Sequence, residues 1–168
     1  MIRIATMLTV VLLASGAATD IHGQMFVPTG RDTLRGLPGI EIEVDSLAPE
    51  AERDGLTRTA IHADVERQLR AAGITIYASQ QENQSPAKAY LYVHVNALKI
   101  SRQAGYVVAV QVHLRQTVRS LASESNIVNA MTWDTHNVLS VQTSSLQRVR
   151  TEIRDYVDQF VQDWRAVH

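Results

Sequence analysis

AYLYVHVNALKI (residues 89–100) and YVVAVQVHLRQTV (residues 106–118), joined by SRQAG (101–105), decide the fold. In the first stretch Leu91, Val93, Val95 and Ala97 fall at every second position; in the second Val108, Val110, Val112 and Leu114 do the same. A period of two is the signature of a strand with one face in a core and one in water. The residues between them, Tyr90, Tyr92 and His94 on one strand and Gln111, His113 and Arg115 on the other, then share the outward face. Gly105 supplies a tight turn, so the strands are expected to form an antiparallel hairpin. Its aliphatic face must be covered by something else.

The flanking sequence supplies the cover. Upstream, Ile40-Glu41-Ile42-Glu43-Val44 alternates as a strand, with Ile40, Ile42 and Val44 facing inward. A helix follows from about Thr57 to Ala72, where Ile61, Val65 and Leu69 make one stripe and Arg58, Glu66, Arg67 and Arg70 lie largely outside it. Gly73 suits a left-handed helix end. Ile74 to Tyr77 alternates again, and strand–helix–strand of this length implies a right-handed crossover between parallel strands. Gln80 to Lys88 reads as a polar surface loop. Downstream, after the polar break Ser123 to Asn126, a further strand is expected within Ile127 to Thr135. Ser144 opens a Ser-x-x-Gln capping pattern with Gln147. Leu146, Val149, Ile153, Val157, Phe160, Trp164 and Val167 then mark one face of a closing helix. Its positions Arg148, Glu152, Arg154 and Asp158 suggest opposite-charge pairs one turn apart on a solvated side. The order β-α-β-β-β-β-α predicts an α+β two-layer sandwich: one mixed, mostly antiparallel sheet of four to five strands, with both helices on one face.

The amino terminus bounds the compartment. Arg3 precedes the apolar run Ile4 to Leu13, and the small residues Ala14 to Ala18 follow. This order predicts a signal peptide over residues 1–18, cleaved after Ala18, with Gly23 as a second choice. A spanning helix needs roughly 20 apolar residues; here Thr19, Asp20, His22 and Gln24 end the run early. Residues 19–38, with Gly23, Pro28, Gly30, Gly36 and Pro38, read as a flexible tether, and residues 39–168 as a single domain. The chain holds no cysteine, which excludes disulfides, thiolate metal sites, cysteine nucleophiles and a lipid anchor on cysteine. A formal charge of -1 gives no general attraction to nucleic acid or anionic membrane. The expected location is the periplasm, or the medium beyond it.

Local motifs for catalysis are sparse. Ser85-Pro86-Ala87-Lys88 matches the Ser-x-x-Lys of penicillin-recognising enzymes, but there the motif opens a helix. Here a strand follows at once, and the companion motifs are missing. Asn83-Gln84-Ser85 is a formal glycosylation sequon that points to an exposed loop. On the hairpin, a turn over Arg102 to Gly105 would set His94 opposite His113, Tyr92 opposite Arg115 and Asn96 opposite Gln111. Opposed histidines with His136 or Asp134 nearby are weak candidates for a divalent metal. Tyr90, Tyr92, His94, Gln111, His113 and Arg115 are instead read chiefly as a binding surface, because tyrosine and arginine are enriched at interfaces.

The arrangement resembles the small α/β domains of bacterial envelope proteins, such as the amino-terminal domain of TolB and the related domains of curli-secretion and flagellar outer-membrane assembly proteins. The carrying stretches are Leu56 to Ile76, with its Leu69-Arg70-Ala71-Ala72-Gly73-Ile74 junction, and Ile153 to Phe160. The resemblance is one of topology, so it implies no site residues. It implies an accessory role in the envelope, without the lipid anchor of some members. The expected function is therefore non-catalytic binding of another protein or an envelope component, with no cofactor. The alternative is a small-molecule or divalent-metal-binding protein using the outer sheet face.

Overall fold

The computed structural model describes residues 30–79, 82–100, 104–122 and 125–168. The expected signal peptide (1–18) and the tether up to residue 29 lie outside the described residues. The elements are β1 (Ile40–Val44), α1 (Pro49–Arg53), α2 (Arg58–Ala71), β2 (Ile76–Tyr77), β3 (Tyr90–Ile100), β4 (Gly105–Arg119), β5 (Ile127–Gln142) and α3 (Arg148–Val167), with 3-10 turns at Gly30–Leu34 and Thr143–Ser145. They form one five-stranded sheet in the order β2-β1-β3-β4-β5. β1 runs parallel to both neighbours, and the rest of the sheet is antiparallel. The α+β two-layer architecture expected from the alternation is present.

The local chemistry explains the elements. The Thr57 side chain caps α2 by accepting from the Ala60 amide at 3.3 Å, satisfying one of the free amides of the first turn. Gly73 ends α2 with a φ of 80°, a conformation that costs glycine little. α3 turns Val149, Ile153, Val157, Phe160 and Trp164 inward, and α2 adds Ile61, Val65 and Leu69. These meet the inward residues Leu91, Val93, Val95, Val108, Val110, Val112 and Leu114 of the hairpin in one core. Both helices thus cover one face of the sheet. Among the described residues no helix is long and apolar enough to cross a membrane.

Several expectations are corrected. The packed domain begins before Gly39: Leu34 is fully buried and Leu37 nearly so, so residues 30–38 belong to the core layer and are no tether. Two leucines outweigh the glycine and proline content around them. A β-carbon on Gly30 would stand 3.1 Å from the Thr132 carbonyl, so this segment lies hard against β5. β5 itself runs seven residues past Thr135, to Gln142. α3 starts at Arg148, and no side-chain cap forms; Gln147 instead donates to the Gly55 carbonyl at 3.0 Å. On α3, Glu152 accepts from Tyr156 and Asn137, and Asp158 accepts from Gln68, in place of the expected arginine partners. Asn83 is fully buried and donates to Glu41 at 3.0 Å, so the sequon is a structural tie and offers no glycan site.

Candidate functional site

With α2 and α3 on one side, no described helix covers the other face of the three central strands. The sheet register sets its rows. Glu41, Tyr90, Arg115 and Met131 form one; Glu43, Tyr92, His113 and Asp134 the next; and His94, Gln111 and His136 a third, in line with Asp45 just past β1. All six residues singled out from the sequence are on this face. Their pairing differs from the expected one by two residues: His94 faces Gln111, and His113 faces Tyr92. Alternation fixes only that an even position meets an odd one, while the loop length selects which. Ile100 pairs with Gly105, where the expected turn would have set Ser101 opposite Tyr106.

The shift changes the chemistry. Tyr92 and His113 stack with ring centroids 5.3 Å apart and planes 5° from parallel. The Arg115 guanidinium lies 5.8 Å from the Tyr92 ring centre, within reach of a cation–π contact. Tyr90 leans on Tyr92 at 6.1 Å. His94 meets Asp45 through Nδ1 at 2.6 Å, and His136 meets Asp134 at 3.2 Å. The two histidines expected to face each other are now diagonal neighbours, a relation that spans roughly 7–8 Å between strands. Among the described residues no group of three or more His, Asp or Glu is placed to hold a metal ion.

His113 is the most constrained member. Its Nδ1 is buried without a hydrogen-bond partner, which is costly for a polar atom. Burial pushes its pKa below 6.5, and the positive Arg115 and His94 push in the same direction. The neutral ring is therefore favoured in the folded state. The corresponding stability is full above the unfolded value and is lost as pH falls towards the folded one. In an NMR pH titration the His113 ring should protonate below the ordinary histidine value of 6.5. A midpoint at or above 6.5 would contradict the burial argument. Tyr90 is shifted the other way: burial first, then the Glu41 charge, raises its phenol above 10, so it remains a neutral donor.

The carboxylates Glu41, Glu43 and Asp45 were missed as partners of this face. Their alternation was visible, but nothing local announces that β1 lies parallel beside β3. The Ser85–Lys88 stretch forms a turn, with the Lys88 amide donating to the Ser85 carbonyl at 3.1 Å, and no helix stacks the two side chains. Beside the His94–His136 end, Ala109, Gln111, Asn137 and Val138 line an open depression of about 230 Å³.

No protein-family model matches the chain, and no curated protein sequence matches it. Among solved structures the chain is similar to the dodecamer of a PelC variant from Paraburkholderia phytofirmans, at 17% identity and a TM-score of 0.43, covering 71% of this chain and 85% of that one. A likeness this distant transfers no property from one to the other.

Proposed function

We propose that this protein is an exported, non-catalytic accessory protein that binds another protein or an envelope component through its outer sheet face. The observation that carries the reading is the Tyr92–His113–Arg115 cluster on the uncovered face, with a buried nitrogen left without a partner. Two tyrosines and an arginine are residue types enriched at interface centres, and the acidic neighbours suit a polar rim around them. Among its described residues the face holds no paired carboxylates in an apolar pocket and no activated nucleophile, which favours binding over catalysis. The signal-peptide pattern supports the envelope as the place where this happens.

The test is affinity capture of the chain from its own cell envelope, run beside Tyr92→Ala with Arg115→Ala. Both positions stand on the outer face, so the double variant should shift the thermal midpoint by only a few degrees while capture falls at least about tenfold, as for loss of interface anchors. Capture that survives the double variant would refute the assignment of the face. A double variant that unfolds would show that these side chains hold the sheet together and serve no partner.

A further inference from the structure

The two edges of the sheet are unequal. β2 ends one side with two residues, whereas β5 ends the other with sixteen. Near its start the β5 edge is occupied: the Thr132 carbonyl accepts from Thr33 at 3.3 Å, and Gly30 lies against it. From Asp134 to Gln142 no described strand pairs with it. Two hydrogen bonds establish which backbone groups point outward there. The Thr143 amide donates to Ala104 on the β4 side, so odd positions face the ladder. The Val138 amide is turned away from β4 and bonds its own neighbour, the Asn137 side chain, at 2.8 Å. Even positions from 134 to 142 therefore present their amides and carbonyls to the edge, since antiparallel ladders alternate.

Exposed edges invite pairing, and proteins blunt them with lysine, proline or inward charge. The segment 134–142, DTHNVLSVQ, has neither lysine nor proline and one formal charge, Asp134. At its midpoint Val138 points outward and is 64% exposed. Beside it on the same face are Ala109 and, one step along, Val107 and the exposed Leu98.

We propose that this edge pairs antiparallel with the same edge of a second copy of the chain, Val138 meeting Val138 at the twofold axis. Edge-facing groups meet only if even positions pair with even ones, and at the centre the Val138 amide exchanges its Asn137 side-chain acceptor for the carbonyl of Val138 in the second copy. Centring on Val138 uses the full open length: Asp134 comes opposite Gln142 of the second copy, and His136 opposite Ser140. Unlike an unrelated strand, a second copy fits with no like charges opposed, apolar contact at the centre and polar pairs at the rim. The result is a ten-stranded sheet with all helices on one side, and it rests on the edge alone, independently of any partner on the outer face.

The cysteine-free chain permits a direct test on the full-length protein. Directly hydrogen-bonded antiparallel positions sit about 5.5 Å apart at Cα, inside the range a disulfide spans. Val138→Cys should cross-link to dimer under mild oxidation at least about tenfold faster than Leu121→Cys, a fully exposed collision control. In sedimentation the wild-type chain should be dimeric at about 100 µM, and Val138→Lys monomeric with an unchanged circular dichroism spectrum. A monomeric wild type, a dimer that survives Val138→Lys, or cross-linking no faster than at Leu121 would each overturn the proposal. If Val138→Lys fails to fold, the two cysteine variants decide alone.

Discussion

Phe160→Ala is expected to lower the thermal midpoint by about 10–15 °C. Phe160 is fully buried on α3. Its ring meets Trp133 of β5 edge-on, with centroids 5.1 Å apart and planes at 80°, and sits 6.0 Å from Trp164. It therefore joins the closing helix to the last strand at a point where three aromatic rings interlock. Truncating a buried phenylalanine removes its transfer energy and leaves a cavity, together about 3–5 kcal/mol. A domain of this size loses roughly 2–4 °C per kcal/mol. Trp133 is further held by its indole N–H, which donates to Asp163 at 2.8 Å, so the rings cannot simply close the gap. Phe160→Leu, which fills most of the volume, should cost less than about 1.5 kcal/mol. Trp133 and Trp164 are the chain's two tryptophans, so their fluorescence reports the repacking directly. A midpoint within 3 °C of wild type for Phe160→Ala, on the scale of under about 1 kcal/mol, would show that this junction is not part of the cooperative core.

The same junction shows what the sequence could reveal. Helical spacing exposed the inward stripe of α3 down to Phe160 and Trp164, and alternation exposed both faces of β3 and β4, because each signal is carried by neighbours along the chain. Contacts that depend on distant segments left no such trace. Nothing local distinguishes the buried Leu34 and Leu37 from two leucines in a loop. Asn83 is buried only because Glu41, forty-two positions away, takes its amide hydrogen. The far half of β5 escaped notice for a different reason. Along this edge the inward side chains are poorly covered, Thr135 and Leu139 in part and Asn137 hardly at all, so they are under weak demand to be apolar, and the period fades. The binding face was legible as a set of outward side chains. Its pairing was not, since alternation leaves every two-residue shift equally acceptable. The difference matters chemically: it exchanges an expected pair of opposed histidines for a tyrosine–histidine stack beside an arginine.

Neutralising Asp64 should cost less than truncating Phe160, and its pH dependence identifies the cause. Asp64 lies on α2 among the apolar positions Ile61 and Val65, and it is almost fully buried. Arg150 of α3 reaches it with Nε at 2.7 Å and with a second guanidinium nitrogen; Arg67 donates to the other carboxylate oxygen at 2.5 Å. This is the charged joint between the two helices. Burial by itself would raise the carboxyl pKa, but the hydrogen bonds and charges of Arg150 and Arg67 outweigh it and leave the group below 3.8. Asp64→Asn keeps the shape and removes the charge, and should cost about 2–3 kcal/mol at neutral pH, the scale of hydrogen bonds to charged groups. Because the folded pKa is depressed, the unfolded chain takes up the proton first as pH falls. The stabilisation is therefore complete above the unfolded value, near 4, and is lost as pH drops through the folded one. Urea denaturation of both proteins between pH 7 and about pH 2 should show the gap between them constant down to roughly pH 5 and shrinking below pH 4. Arg150→Met, which removes the cation and keeps the stem, should flatten the same acid limb. A gap that stays constant down to pH 2 would mean that the asparagine costs packing alone, and that the ion pair contributes nothing to holding α2 and α3 together.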